Sequence, residues 1–193
     1  AKYLAPDNVD CIGIIGTGTQ ARLQLEYLSG IVDCKHVKAW GRHVDHTDAY
    51  CAEMNKRGYL VSSTDLESLT KASNLIVTTT PSTEPLITSD WVQQGTHITA
   101  MGSDTPGKQE LDTEILNRAD LVVADSIAQC IERGEVAKAL EAGVITENDV
   151  LELGNVISGD SASRIDDSQI TMADLTGVAV QDIQITKAVL NSL

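Results

Sequence analysis

Phenylalanine is absent from this chain of 193 residues, and Trp and Tyr together bring the aromatic share to only 3%. Any core must therefore be assembled from Ile, Leu, Val and Ala. Basic residues are scarce as well: 14 Lys and Arg stand against 28 Asp and Glu, for a formal net charge of -14. A surface of that sign repels phosphate backbones and anionic lipid, which excludes nucleic acid and membrane as partners. No run of about 18 apolar residues exists to span a bilayer. The first residues lack the charged-then-apolar pattern of a secretory signal, so a cytoplasmic setting is expected. The four cysteines, Cys11, Cys34, Cys51 and Cys130, form no C-x-x-C pair, which favours reduced thiols over a disulfide frame or a zinc site. His43 and His46 have the spacing of a metal pair but no Cys or carboxylate cluster joins them; they read as a solvated helix start, and no metal is expected.

The sequence is organised around Ile12-Gly13-Ile14-Ile15-Gly16-Thr17-Gly18-Thr19-Gln20-Ala21, an apolar strand running through a glycine turn into a helix. The pattern is that of a dinucleotide cradle. Gly16 makes the turn, Gly18 lets the backbone approach a pyrophosphate, and Ala21 lets the helix lie close to a sheet. The phosphates then meet the open N–H groups at the positive end of the helix dipole.

Strand and helix patterns alternate beyond that point. Strands are expected at residues 36–40, 59–61, 74–80, 96–101 and 121–124, with helices at 19–29, around Ala49 to Gly58, at 111–119 and, as one long apolar pattern, at 127–142. Thr64-Asp65-Leu66-Glu67 has the form of a capping box, and Thr146-Glu147-Asn148-Asp149 of another helix start. A further strand at 169–173 turns through Thr176-Gly177 into a final helix at 178–190. Continuous β-branched strands alternating with helices imply a parallel α/β sheet covered on both faces, a doubly wound, Rossmann-type domain whose first six strands already make a complete set.

Ligands of such sheets lie past the carboxyl ends of the strands. After the second strand stands Gly41-Arg42-His43, without the acid that commonly holds the ribose hydroxyls. Gly41 leaves room, and Arg42 is either a partner for a 2′-phosphate, which would favour NADP or dual use, or a plain surface arginine. After the fourth come Thr79-Thr80-Pro81-Ser82, with hydroxyls placed for a ribose or for turn chemistry. After the fifth comes Met101-Gly102-Ser103-Asp104-Thr105-Pro106-Gly107-Lys108-Gln109-Glu110. There Asp104 is either a general acid/base beside a nicotinamide or the carboxylate of an Asx turn, and Lys108 is available to cofactor phosphate or hydroxyl.

Gly16-Thr17-Gly18-Thr19-Gln20-Ala21-Arg22, the loop from Gly102 to Leu111, Ala124-Asp125-Ser126 with Gln129, and Asp174-Leu175-Thr176-Gly177-Val178-Ala179-Val180-Gln181-Asp182 together resemble the ornithine cyclodeaminase/mu-crystallin family, over the whole chain. The resemblance implies an NAD(P)-dependent enzyme that oxidises an amino acid to its imine, reduces an imine, or closes ornithine to proline with loss of ammonia; the family also includes a cofactor-binding crystallin. It implies Asp104 as catalytic acid/base and substrate contact, and Thr176 on the substrate side. It implies pyrophosphate contacts at Thr19 and Gln20, and further cofactor contacts at Thr80, Met101, Lys108 and Leu175. Ring-forming members carry Asp at the position of Gly41 and commonly Ser at that of Leu175, so the chain is more similar to the branch linked to ectoine utilisation and iminosuccinate reduction. Members also have a separate N-terminal substrate and dimerisation domain. The opening Ala-Lys-Tyr-Leu-Ala matches the end of the helix leading out of it, so residues 1–193 are expected to be the cofactor domain of a larger homodimeric enzyme, inactive on their own.

Overall fold

The computed structural model describes residues 1–191. Its strands are β1 (Ile12–Ile15), β2 (His36–Trp40), β3 (Leu60–Ser63), β4 (Leu75–Thr78), β5 (His97–Ala100), β6 (Leu121–Ala124), β7 (Val150–Glu152) and β8 (Thr171–Asp174). The helices are α1 (Thr19–Leu28), α2 (Val44–Lys56), α3 (Leu66–Ala72), α4 (Thr113–Arg118), α5 (Ile127–Cys130), α6 (Gly134–Glu141), α7 (Leu153–Ser158) and α8 (Ala179–Leu190). All the strand pairings are parallel, in the order β3-β2-β1-β4-β5-β8-β6-β7. No helix among the described residues is long and apolar enough to cross a membrane.

Because both faces of the sheet are covered, neighbouring residues of one strand serve opposite cores. Ile76 joins Ile15, Ile98, Ala100 and Met172 on one side, while Leu75 and Val77 join Ile12, Ile14, Leu25 and Met54 on the other. In place of Phe, two tyrosines reach into the second core and end on helix carbonyls: Tyr50 Oη donates to Ala21 O at 3.3 Å and Tyr59 Oη to Leu25 O at 2.8 Å. Each ring is thereby buried without stranding its hydroxyl. The opening residues make a helical turn, with Ala5 N–H donating to Ala1 O, and Leu4 is buried against Val123, Val156 and Ala173.

The doubly wound parallel sheet agrees with the sequence reading, and four local expectations are corrected. The sheet has eight strands rather than six and one addition: β8 is inserted between β5 and β6, and the short β7 follows a single 3-10 turn at Glu147–Asp149. At the start of that turn the Asp149 carboxylate takes both the N–H and the hydroxyl of Thr146, at 2.8 and 2.7 Å. The apolar pattern at 127–142 is two helices, α5 and α6, broken at Gly134, whose φ of +89° no ordinary helix accommodates. The capping residue of α3 is Asp65 rather than Thr64: Asp65 Oδ1 accepts Ser68 N–H at 2.8 Å, and Glu67 instead pairs with Lys71 at 2.6 Å. Finally, Gly41 does not leave room. A Cβ there would lie 2.7 Å from Thr47 Oγ1 and 2.9 Å from Thr17 Cγ2, so the glycine is demanded by packing.

Beneath the sheet's other end lies a buried polar link. His97 is fully buried, its Nδ1 bonded to Thr171 Oγ1 at 2.8 Å and its Nε2 to Thr99 Oγ1 at 3.0 Å. Burial holds the imidazole well below its ordinary value, so it is neutral in the fold. For a base depressed in this way, the stabilisation is present above the unfolded value and is lost as pH falls below it. His97→Gln is therefore expected to destabilise by about 1–3 kcal/mol near pH 7.5 through weakened buried hydrogen bonds. The gap to wild type should narrow by roughly 1.4 kcal/mol near pH 5.5. Urea unfolding at the two pH values checks this; an unchanged gap would mean that His97 takes up its proton in the folded protein.

Candidate functional site

The reversal of strand order falls between β1 and β4, and there a cleft of about 270 Å³ opens, lined among others by Gly16, Gly18, Arg42, Thr79 and Thr80. The turn that forms its floor is tightly specified. Gly16 has φ +108°, its N–H donates to Trp40 O at 2.8 Å, and a Cβ would stand 2.5 Å from Thr79 Oγ1. Arg22 holds the turn from behind: its guanidinium donates to Thr17 O and to Gly18 O, and pairs with Glu53 at 2.7 Å.

Gly18 is different. It is the N-cap of α1 with φ -82°, no side chain caps the helix, no acid lies in its first turn, and a Cβ at Gly18 would meet nothing within 4 Å. Neither the protein's packing nor its backbone demands glycine at this position. The uncapped amides of Thr19 and Gln20 lie at this helix start. Ala21 faces the other way, fully buried on the sheet.

Along the carboxyl edge the remaining residues follow in sheet order. Arg42, past β2, is exposed at the cleft and makes no hydrogen bond or ion pair given for the described residues. Beside it His43 and His46 stack edge to face at 5.4 Å, and no group of three or more His, Cys, Asp or Glu suited to a metal occurs among the described residues. Thr80, past β4, lines the cleft but turns its donors inward: its N–H and hydroxyl both donate to Glu110 Oε1 at 2.6 Å. Met101 follows β5, half-buried. Asp104 is exposed on the loop beyond it, and Lys108 Nζ donates to its Oδ1 at 2.6 Å across a turn closed by Lys108 N–H on Thr105 O.

Past β8, Leu175 does not line the cleft; it packs on the Leu4, Val123 and Val156 cluster, while its N–H donates to Ala100 O at 2.9 Å beside β5. Thr176 is buried, its hydroxyl donating to Asp125 Oδ1 at 3.2 Å and accepting from Gln129 Nε2 at 2.6 Å. The Thr176-Gly177 turn is thus pinned by Asp125 and Gln129, with Gly177 N–H donating to Asp125 Oδ2 at 2.7 Å. From β2 to β8 the line spans five adjacent strands, roughly 19 Å at ordinary strand spacing.

Two buried acids that sequence reasoning assigned no part stand behind this edge. Glu110 is fully buried and also accepts Thr78 Oγ1 at 2.6 Å and Gly102 N–H at 2.8 Å. Burial pushes its carboxyl up despite these bonds, and burial raises Glu135 to about 7. Glu110 shows in sequence only as the end of a polar loop, and Glu135 as one acid near a helix start.

A model of the ornithine cyclodeaminase/mu-crystallin family matches residues 1–193. Alanine dehydrogenase of Archaeoglobus fulgidus is 42% identical over 190 residues, covering 98% of this chain and 58% of that protein. Among solved structures, an archaeal alanine dehydrogenase dimer with bound NAD superposes with a TM-score of 0.92 at 42% identity, over 97% of this chain and 58% of the other. The iminosuccinate reductase of Paracoccus denitrificans in complex with NAD+ does so with a TM-score of 0.90 at 36% identity, over 98% and 58%. The chain thus spans somewhat over half the length of these relatives.

The two cleft glycines are separable by experiment. Gly18→Ser supplies a good N-cap and is expected to leave stability within about 1 kcal/mol of wild type, while its side chain enters the open space and weakens dinucleotide binding at least about tenfold. Gly16→Ala is expected to cost about 2 kcal/mol or more through its strained φ and its contact with Thr79. Thermal unfolding with and without NADH reads both; a Gly18→Ser protein that binds NADH normally would show that nothing approaches the backbone there.

Proposed function

The chain belongs to the ornithine cyclodeaminase/mu-crystallin family, and from that premise we propose that it is the cofactor-binding portion of an NAD(P)-dependent oxidoreductase acting at the carbon–nitrogen bond of an amino acid or imine. The observation that carries the reading is the uncapped start of α1 at Gly18, a cradle left open on the cleft and flanked by Arg42 and Thr80. Gly16 to Gln20 hold the pyrophosphate, Ala21 seats the helix behind it, and Thr80, Met101 and Lys108 flank the ribose and nicotinamide end. The dinucleotide, when bound, supplies or accepts the hydride.

Asp104 handles the proton. It takes one from an amine or water in the oxidative direction and returns it to the nitrogen of an imine in the reductive one. Lys108, at 2.6 Å, fixes the carboxylate's direction. Thr176 stands on the substrate side, held by Asp125 and Gln129. The substrate's carboxylate is gripped by residues in the part of the relatives' length that this chain does not span, and the full-length protein works as a homodimer through that part. This division makes the chain alone a binder of dinucleotide without turnover; detectable amino-acid oxidation by residues 1–193 would overturn it. Four free cysteines support a reducing, cytoplasmic setting.

An exposed Arg42 with no acid beside it at Gly41 supports acceptance of a 2′-phosphate, so the protein uses NADP as well as NAD. Arg42→Ala is expected to weaken NADPH binding about tenfold and leave NADH within about twofold. Titration of both nucleotides by fluorescence checks it; tighter binding of NADH than NADPH by the unmodified chain would sink the assignment. In the full-length protein, Asp104→Asn should lower imine reduction about 100-fold or more with NADH affinity retained. The substrate class is read by screening keto acid plus ammonia, iminosuccinate precursors and ornithine. Ring closure of ornithine is the second activity the family offers, and no turnover of any imine would favour a cofactor-binding protein without catalysis.

A further inference from the structure

The loop carrying Asp104 leaves the sheet at Gly102 and returns at Leu111, and a single side chain from another element closes it at its base. Glu135, in the first turn of α6 and 1% exposed, accepts three bonds: Ser103 Oγ at 2.5 Å and Glu110 N–H at 2.8 Å on Oε1, and Leu111 N–H at 3.1 Å on Oε2. Ser103 is the residue before Asp104; Glu110 and Leu111 are the loop's far end. Glu110 then carries the grip to the cleft, since its own carboxylate accepts Thr78, Thr80 and Gly102. No Lys or Arg pairs with either glutamate among the described ion pairs. Each is held by hydrogen bonds alone, an arrangement that burial penalises and that a purely apolar filling of the same space would avoid.

We propose that Glu135 is a positioning residue that sets where Asp104 stands relative to the cleft floor, a role that rests on reading Asp104 as the proton-transfer group. Closing the base at Ser103 and Glu110 leaves six residues, 104–109, between the clamped points and puts Asp104 next to one of them. Glu135 does not touch the glycine turn that holds the pyrophosphate, so its effect falls chiefly on the chemical step at the loop. Misplacement of a reacting group by about 1 Å is enough to cost on the order of 100-fold in rate.

The test uses the full-length protein, with steady-state imine reduction, NADH titration and amide hydrogen exchange on the same samples. Glu135→Gln keeps an oxygen for Ser103 and Glu110 and is expected to hold kcat within about threefold, whereas Glu135→Ala should lower kcat about 100-fold with the Kd of NADH within about threefold. Amides of residues 103–111 should exchange faster in Glu135→Ala while those of β1 and β4 keep their protection. An unchanged kcat, unchanged exchange in the loop, or a parallel loss of NADH affinity and of protection throughout the sheet would overturn the proposal. If Glu135→Ala does not fold, Ser103→Ala takes its place: a kcat lowered about tenfold with NADH affinity kept supports it, and an unchanged kcat overturns it. If the wild-type protein turns over no imine, the catalytic reading of Asp104 fails by itself, and loop exchange alone decides whether Glu135 sets the loop.

Discussion

Parallel pairing of all eight strands is the constraint on which the rest of the molecule depends. Each strand must be followed by a crossover, so every carboxyl end lies on the same edge of the sheet, and the chain's reversal beside β1 leaves that edge open at one place. The glycine turn, Arg42, Thr80, the loop from Gly102 to Leu111 and the Thr176-Gly177 turn belong to strands far apart in the chain. The sheet sets them side by side, in the order of their strands.

The edge is braced by carboxylates that serve the backbone. Glu110 and Glu135 hold the loop of Asp104; Asp125 takes the amides of Ser126 and Gly177; Glu152 takes that of Ile127 and Asp174 that of Val136. Burial raises Asp174 and Glu135 well above ordinary carboxylates, so they carry less negative charge than composition suggests. Part of the chain's acidic excess is therefore internal scaffolding at strand ends, where loops and short helices leave N–H groups that need acceptors. Asp104 alone of the loop's acids stands out of this bracing, exposed and paired with Lys108. That contrast leaves Asp104 as the loop's solvent-facing acid.

The fold class, the strand-turn-helix of the cradle and family membership were legible because each is written in a short window. Four-residue apolar strands, a glycine pair before a helix and the run from Gly102 to Leu111 are local patterns. Two of the misreadings have a different cause. The helix at 127–142 breaks where Gly134 approaches Asp174, far along the chain. Gly41 is close-packed because Thr17 and Thr47 come to it from two other elements. Nothing near those glycines in sequence announces Asp174 or Thr17.

By itself, the sequence determined that apolar β-branched strands would pair in parallel under helices, that a turn at Gly16 and Gly18 would lead from a strand into a helix, and that Asp104 would sit on a loop past a strand. Periodicity and turn chemistry act over a few residues, and that is their reach. Tertiary structure alone decided that β8 enters between β5 and β6, bringing Thr176 to the same edge as Asp104, and that Glu135 of α6 bonds both ends of the loop that carries Asp104. Those outcomes depend on which crossover packs where and on which buried donor finds which acceptor, and such pairings are settled only when the whole chain is folded.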